Sequence, residues 1–208
     1  MEKEQRTPIR ELPYSAGLMS QSCWFVEFKK IIQLVADGKS QEEIRIQCLE
    51  NNLLGAAKEY RAKRVYGYLI SRAKMLDAAG VRLFMESDLS TQKILNLVAI
   101  LRGDRLFFEF VYEIYREKVI LGQLELEDRD FSIFFRTKGE QSELVEKWND
   151  STKGHLKSNY VTCMTDANLL YFEGRKRLIT KPIVDNSLIR YLNGSGDQVI
   201  LAAITGVV

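Results

Sequence analysis

Between Lys58 and Leu76, Lys58, Arg61, Lys63, Arg64, Arg72 and Lys74 stand against the carboxylate of Glu59, so this stretch carries +5 while the whole 208-residue chain carries +2. Arg and Lys neutralise phosphates or read guanine edges, and Tyr60 can bond to a phosphate. Ala57, Gly67 and Ser71 are small enough to let a helix backbone approach a groove. The chemistry on offer is recognition of a polyanion. Arg175, Lys176 and Arg177 form a second basic cluster, and Lys153 and Lys157 stand on the segment before it.

The first cluster needs a helix to position it. Ala62, Val65, Tyr66, Leu69, Ile70, Ala73 and Leu76 recur at spacings of three and four, one apolar stripe of a helix beginning near Ala56. At 100° per residue Ala57, Tyr60, Arg64, Gly67, Ser71 and Lys74 point away from that stripe, with Arg61, Lys63 and Tyr68 on its flanks. Lys58, Tyr60, Arg61, Lys63, Arg64, Ser71 and Lys74 are therefore the DNA-contact candidates of this helix. Two helices precede it. One carries Phe28, Ile31, Ile32, Leu34 and Val35 and ends at Asp37-Gly38. The second is short, about Gln41 to Glu50, with Ser40 and Glu43 spaced for a capping box. Asn51, Asn52 and Gly55 supply the next turn. This is the order of a helix-turn-helix, although a solvated basic face on a bundle helix would share its composition.

The plan recurs after Asp130: a helix with Phe131, Phe134 and Phe135 stopping at Gly139, a short helix through Trp148, then one started by Asp150 or Ser151. Leu156, Tyr160, Cys163 and Met164 face inward on the last, and Thr152, Lys153, His155, Lys157 and Asn159 are its outward candidates. Two extended runs meeting at Glu173-Gly174-Arg175 read as a β-hairpin. A helix-turn-helix followed by a basic hairpin is the plan of a winged helix, with Arg175, Lys176 and Arg177 on the DNA backbone.

The expected fold is mainly α, with two helical lobes that each hold a helix-turn-helix, the C-terminal one winged. Residues 1–13 are expected to be a mobile tail, 14–80 the first lobe, 81–125 a central helix pair and 126–208 the second lobe. Gly80 marks a change of direction and Ser90 caps the first central helix, which bears Ile94, Leu95, Leu97, Val98 and Leu101. Gly103-Asp104 separates it from a second, with Leu106, Phe107, Phe110, Val111, Ile114, Tyr115 and Val119 as a packed aromatic core. The acidic run Glu125 to Asp130 suits a helix N-terminus better than a metal pair. The apolar run from Val199 to Val208 should pack on the body or a partner.

The near balance of 30 basic and 28 acidic residues argues against a polycation that coats nucleic acid everywhere. Cys23, Cys48 and Cys163 are far apart and His155 is the single histidine, so neither a disulfide framework, a metal site nor a cofactor is expected. No run approaches the roughly 20 apolar residues of a membrane span, and Met1 to Pro13 is polar and charged rather than a secretory signal. A cytoplasmic protein is expected.

Four further stretches carry a likeness: Tyr14-Ser15-Ala16-Gly17-Leu18, Trp24-Phe25-Val26-Glu27, the run from Ala57 to Arg64, and Leu89-Ser90-Thr91-Gln92-Lys93. Together they closely resemble the BrxA family, small core proteins of the BREX bacteriophage-exclusion systems, from about Tyr14 to about Leu192. The resemblance implies a mostly helical, DNA-binding, non-catalytic component whose methylation and ATPase chemistry resides in other subunits. It brings no active-site residues.

No nucleophile elbow, phosphate loop or dinucleotide fingerprint is present, so an enzyme is not expected. The expected function is double-stranded DNA binding as an accessory protein of BREX defence, by a chain that is monomeric on its own and partnered by other BREX subunits. A protein adaptor without DNA contact and an RNA-binding helical protein are the alternatives.

Overall fold

The computed structural model of the chain describes residues 7–206, and residues 1–6 of the expected tail lie outside them. The protein is mainly helical, with one small antiparallel hairpin near the C-terminus. Its centre is α5 (Leu89–Gly103), on which Ile94, Leu95, Leu97, Val98, Ala99, Ile100 and Leu101 are all buried. A helix buried on every side needs neighbours all round. They are α1 (Phe25–Ala36), α3 (Glu59–Ala73) and α4 (Ala78–Glu86) toward the N-terminal half, with α6 (Arg105–Phe110) and α10 (Asp150–Asp166) toward the other.

α6 continues through a π-helical turn, Val111–Tyr115, into α7 (Arg116–Ile120). Leu106, Phe107, Phe110, Val111 and Tyr115 are buried, as their spacing predicts. Phe107 stacks on Tyr160 at 4.3 Å and Phe110 on Phe131 at 4.6 Å, joining α6 to α10 and to α8 (Asp128–Gln141). The apolar core runs without a break from Phe28 through α5 to Ile204. The two halves are thus parts of one packed body.

Several local expectations shift. Ile9 is buried in a 3-10 turn against α5 and α6, and the Leu12 carbonyl accepts from Arg105 at 3.3 Å, so the segment just before Pro13 is held rather than free. Asp88, not Ser90, caps α5, its carboxylate accepting from Thr91 N–H at 2.8 Å. Gly80 lies inside α4, which Asp77 caps, where the missing side chain admits the Tyr191 ring. α8 runs straight through Gly139, against which the backbone of Glu146, on α9 (Glu143–Glu146), packs; the turn falls at Ser142.

The hairpin joins β1 (Leu170–Glu173) to β2 (Lys176–Ile179), with Gly174 at φ 60° in the turn. The segment before α8 adds a third line of pairing: Leu126 N–H donates to Arg177 O at 2.9 Å and Ile179 N–H to Leu124 O at 2.8 Å. The C-terminal helices are α11 (Asn186–Gly194) and α12 (Gln198–Thr205). Ile200, Ala203 and Ile204 bury α12 against the π-helical turn and α7, so the apolar run packs on the body; Val207 and Val208 lie outside the described residues.

Candidate nucleic-acid interface

α3 is aimed by the two helices before it. α1 ends at Asp37, and Gly38 at φ 74° makes the left-handed turn that a Cβ would strain. Ser40 then caps α2 (Gln41–Leu49) with the reciprocal box its spacing predicts. Glu43 N–H donates to Ser40 Oγ at 3.2 Å, and Ser40 N–H donates to the Glu43 carboxylate at 2.8 Å. That backbone donor, with Lys39 beside it, holds the Glu43 carboxyl down at about 2. Ile44 and Cys48 seat α2 on the core. Asn52 Oδ1 accepts from Ala56 N–H at 2.9 Å, and Lys58, extended at φ −142°, delays the start of α3 to Glu59.

Ala62, Val65, Tyr66, Leu69 and Ala73 lock the inner face of α3. Its outer face exposes Tyr60, Arg61, Lys63, Arg64, Gly67, Ser71 and Lys74, with exposed Lys58 at its head. All seven residues singled out on this helix are therefore brought to one solvent face. Arg72 is not among them. It is buried, donating to Asn96 Oδ1 at 3.2 Å, to Ser22 O at 3.2 Å and to Cys23 O, and it ties α3 to α5. Its phase, three residues after Leu69, was the signal that a charge count overlooks. The exposed face then holds five cations against Glu59, a net +4. Lys63 reaches Glu59 at 2.7 Å, an exposed pair worth little.

The C-terminal candidates fare differently. Asn149 caps α10, accepting from Thr152 N–H at 2.8 Å, and Leu156, Tyr160, Cys163 and Met164 turn inward. Lys153 is half-buried. Lys157 is paired with Asp128 at 2.9 Å, and the same carboxylate is ion-paired with Arg177. Lys157 first, and Arg177 beside it, hold the Asp128 carboxyl below its usual range. Arg177 also donates to Leu126 O at 2.9 Å and lies 5.6 Å from the centre of the Phe131 ring. It fastens β2 to α8 rather than projecting from the hairpin. Lys176 is exposed with Glu125 at 3.8 Å, and Arg175 is exposed at the tip. Of the three basic hairpin residues, the turn thus presents two outward and uses one internally.

Between α8, α9 and α10 lies a groove of about 870 Å³, lined by Arg136, Lys153 and Lys157 but also by Glu140, Glu143 and Asp150. That mixture does not select a bare anion. Two buried charge networks escaped sequence reasoning. Arg102 donates to Asp197 at 2.6 Å, Tyr191 Oη at 2.8 Å and Met75 O at 2.6 Å. Lys138, pointed into the body, reaches Glu109 at 2.6 Å and Glu113 at 2.7 Å. Both link groups far apart in the chain, so no local spacing announces them. Among the described residues no group of three or more His, Cys, Asp or Glu could hold a metal ion, and no helix is long and apolar enough to cross a membrane.

Fold and surface together define a mainly helical protein that presents a basic third helix in its N-terminal half and a small hairpin in its C-terminal half. The particular family follows from comparison: the BrxA family model matches residues 12–196, and the chain belongs to the BrxA family. It is 31% identical over 198 residues to the BREX protein BrxA of Bacillus cereus (strain H3081.97), covering 95% of this chain and 99% of that one. The resemblance read from the sequence is borne out. A crystal structure of an uncharacterized protein from Magnetospirillum magneticum shares the fold, with a TM-score of 0.80 at 15% identity over 93% of this chain and 99% of that one.

Proposed function

We propose that this protein is a non-catalytic, double-stranded DNA-binding component of a BREX phage-defence system, working beside other BREX subunits and monomeric when alone. The observation that carries the reading is the outer face of α3, where five exposed cations, Tyr60 and Ser71 are held by a capped three-helix unit. Charge concentrated on an outward third helix, in a chain of near-zero net charge, favours a local phosphate-tracking site.

The C-terminal half supports a second, weaker contact. The succession α8, short α9, α10 and the β1–β2 hairpin favours the winged-helix reading, with Arg175 and Lys176 at the wing and Lys153 on α10. A protein adaptor is less favoured, because the apolar tail that would serve it is already used by α12 inside the body.

The test is affinity for duplex DNA, against a matched RNA duplex, as a function of salt. Each phosphate neutralised contributes about 0.9 to the log–log slope, so Arg61→Ala/Lys63→Ala/Arg64→Ala should flatten it by up to about 2.7. A folded triple variant with unchanged affinity and slope would remove α3 from the site, and equal affinity for both duplexes would point to shape recognition of nucleic acid in general.

A further inference from the structure

Leaving out Gly103 and Gly194, which are the last residues of α5 and α11, four glycines lie in α-helix interiors: Gly67 in α3, Gly80 in α4, Gly139 in α8 and Gly154 in α10. Glycine is among the least favourable residues for a helix interior, and a helix keeps one where a side chain would collide. At Gly80 a Cβ would collide with the Tyr191 ring, and at Gly139 it would pack against the backbone of Glu146. At Gly67 and Gly154 a Cβ would meet nothing within 4 Å, and neither has the positive φ that would require glycine. Nothing inside the protein accounts for these two. They fall on the third helix of each helix-turn-helix unit, both exposed. Gly67 sits one turn from Arg64 and from Ser71 and two turns from Tyr60 and Lys74; Gly154 sits next to Lys153, one turn from Lys157.

We propose that Gly67 marks the closest approach of α3 to the DNA; Gly154 instead lines the groove of mixed charge between α8, α9 and α10. The bare helix backbone at Gly67 lies against the duplex, and Arg64, Ser71 and Lys74 reach out from either side of that contact. The proposal rests on the reading of α3 as a DNA-contacting helix and adds a steric requirement to its charge. A methyl group at position 67 would stand about 1.5 Å off the Cα. It would hold the helix away and weaken the flanking contacts together, where loss of one cation removes one contact.

Opposite effects on stability and binding are the test. Gly67→Ala should raise the thermal midpoint by about 2–4 °C, as a better helix former in a chain of this size. The same change should lower duplex affinity roughly tenfold or more, the scale of losing a good groove contact. Gly67→Leu should bind more weakly still. A Gly67→Ala protein that is stabilised yet binds as the parent does, or one that is destabilised, overturns the inference. If the parent shows no salt-dependent duplex binding, the function itself fails before any glycine is changed. If Arg61→Ala/Lys63→Ala/Arg64→Ala loses affinity while Gly67→Ala does not, the function stands and the close approach alone is wrong.

Discussion

Asp128→Asn should strengthen duplex binding and make it more sensitive to salt. The Asp128 carboxylate is shared between Lys157 of α10 and Arg177 of β2, the cations nearest the junction of helix and hairpin. A phosphate arriving there must displace this carboxylate or be repelled by it. Removing the charge while keeping an amide of the same shape leaves Arg177 anchored on the Leu126 carbonyl and frees both cations to meet phosphate. With about 0.9 of log–log slope per phosphate neutralised, two freed cations add up to about 1.8; over a fourfold change in salt this is roughly a twelvefold larger fall in affinity than the parent shows. The gain should be greatest at low salt. Because the Asp128 side chain is 67% exposed, solvent screens its ion pairs and their loss should cost unfolding no more than about 1 kcal/mol. Fluorescence anisotropy with a short labelled duplex across a salt series reads both quantities. Parent-like slope and affinity, or weaker binding at low salt, would show that Lys157 and Arg177 serve the fold alone.

Asp104, which caps α6 by accepting from Phe107 N–H at 2.8 Å, is buried deeply enough that desolvation pushes its carboxyl up from 3.8 to about 6. A raised acid is carried without penalty below its unfolded pKa and loses stability as pH rises through the folded one, so the penalty develops between about pH 4 and 6. Asp104→Asn keeps the cap but cannot ionise: urea unfolding should give near-parental stability at pH 4 and a gain of up to about 3 kcal/mol at pH 7, and a pH-independent difference would refute the assignment. For the Arg102–Asp197 pair, Asp197→Ala should cost about 3–5 kcal/mol by leaving a buried guanidinium uncompensated, whereas Arg102→Met with Asp197→Leu should recover most of it. A loss below about 1 kcal/mol in the single variant would mean that the other Arg102 acceptors suffice.

What the sequence determined by itself is what depends on near neighbours. The Ser40–Glu43 box, the stripe from Ala62 to Ala73, the exposed set from Tyr60 to Lys74 and the hairpin at Gly174 are all set by residues a few positions apart, whose periodicity and turn chemistry are visible in one dimension. The family likeness was legible for the same reason. Only the tertiary structure decided which charges are free. Arg72 and Arg177 count as cations in any composition, yet one is spent on the Ser22, Cys23 and Asn96 acceptors and the other on Leu126 and Asp128. It also decided that α8 continues through Gly139, which Glu146 touches, while Gly67 and Gly154 have no such neighbour. Burial makes an unpaired charge costly and a small residue useful, and burial depends on contacts between segments far apart in the chain, which spacing along the sequence does not encode.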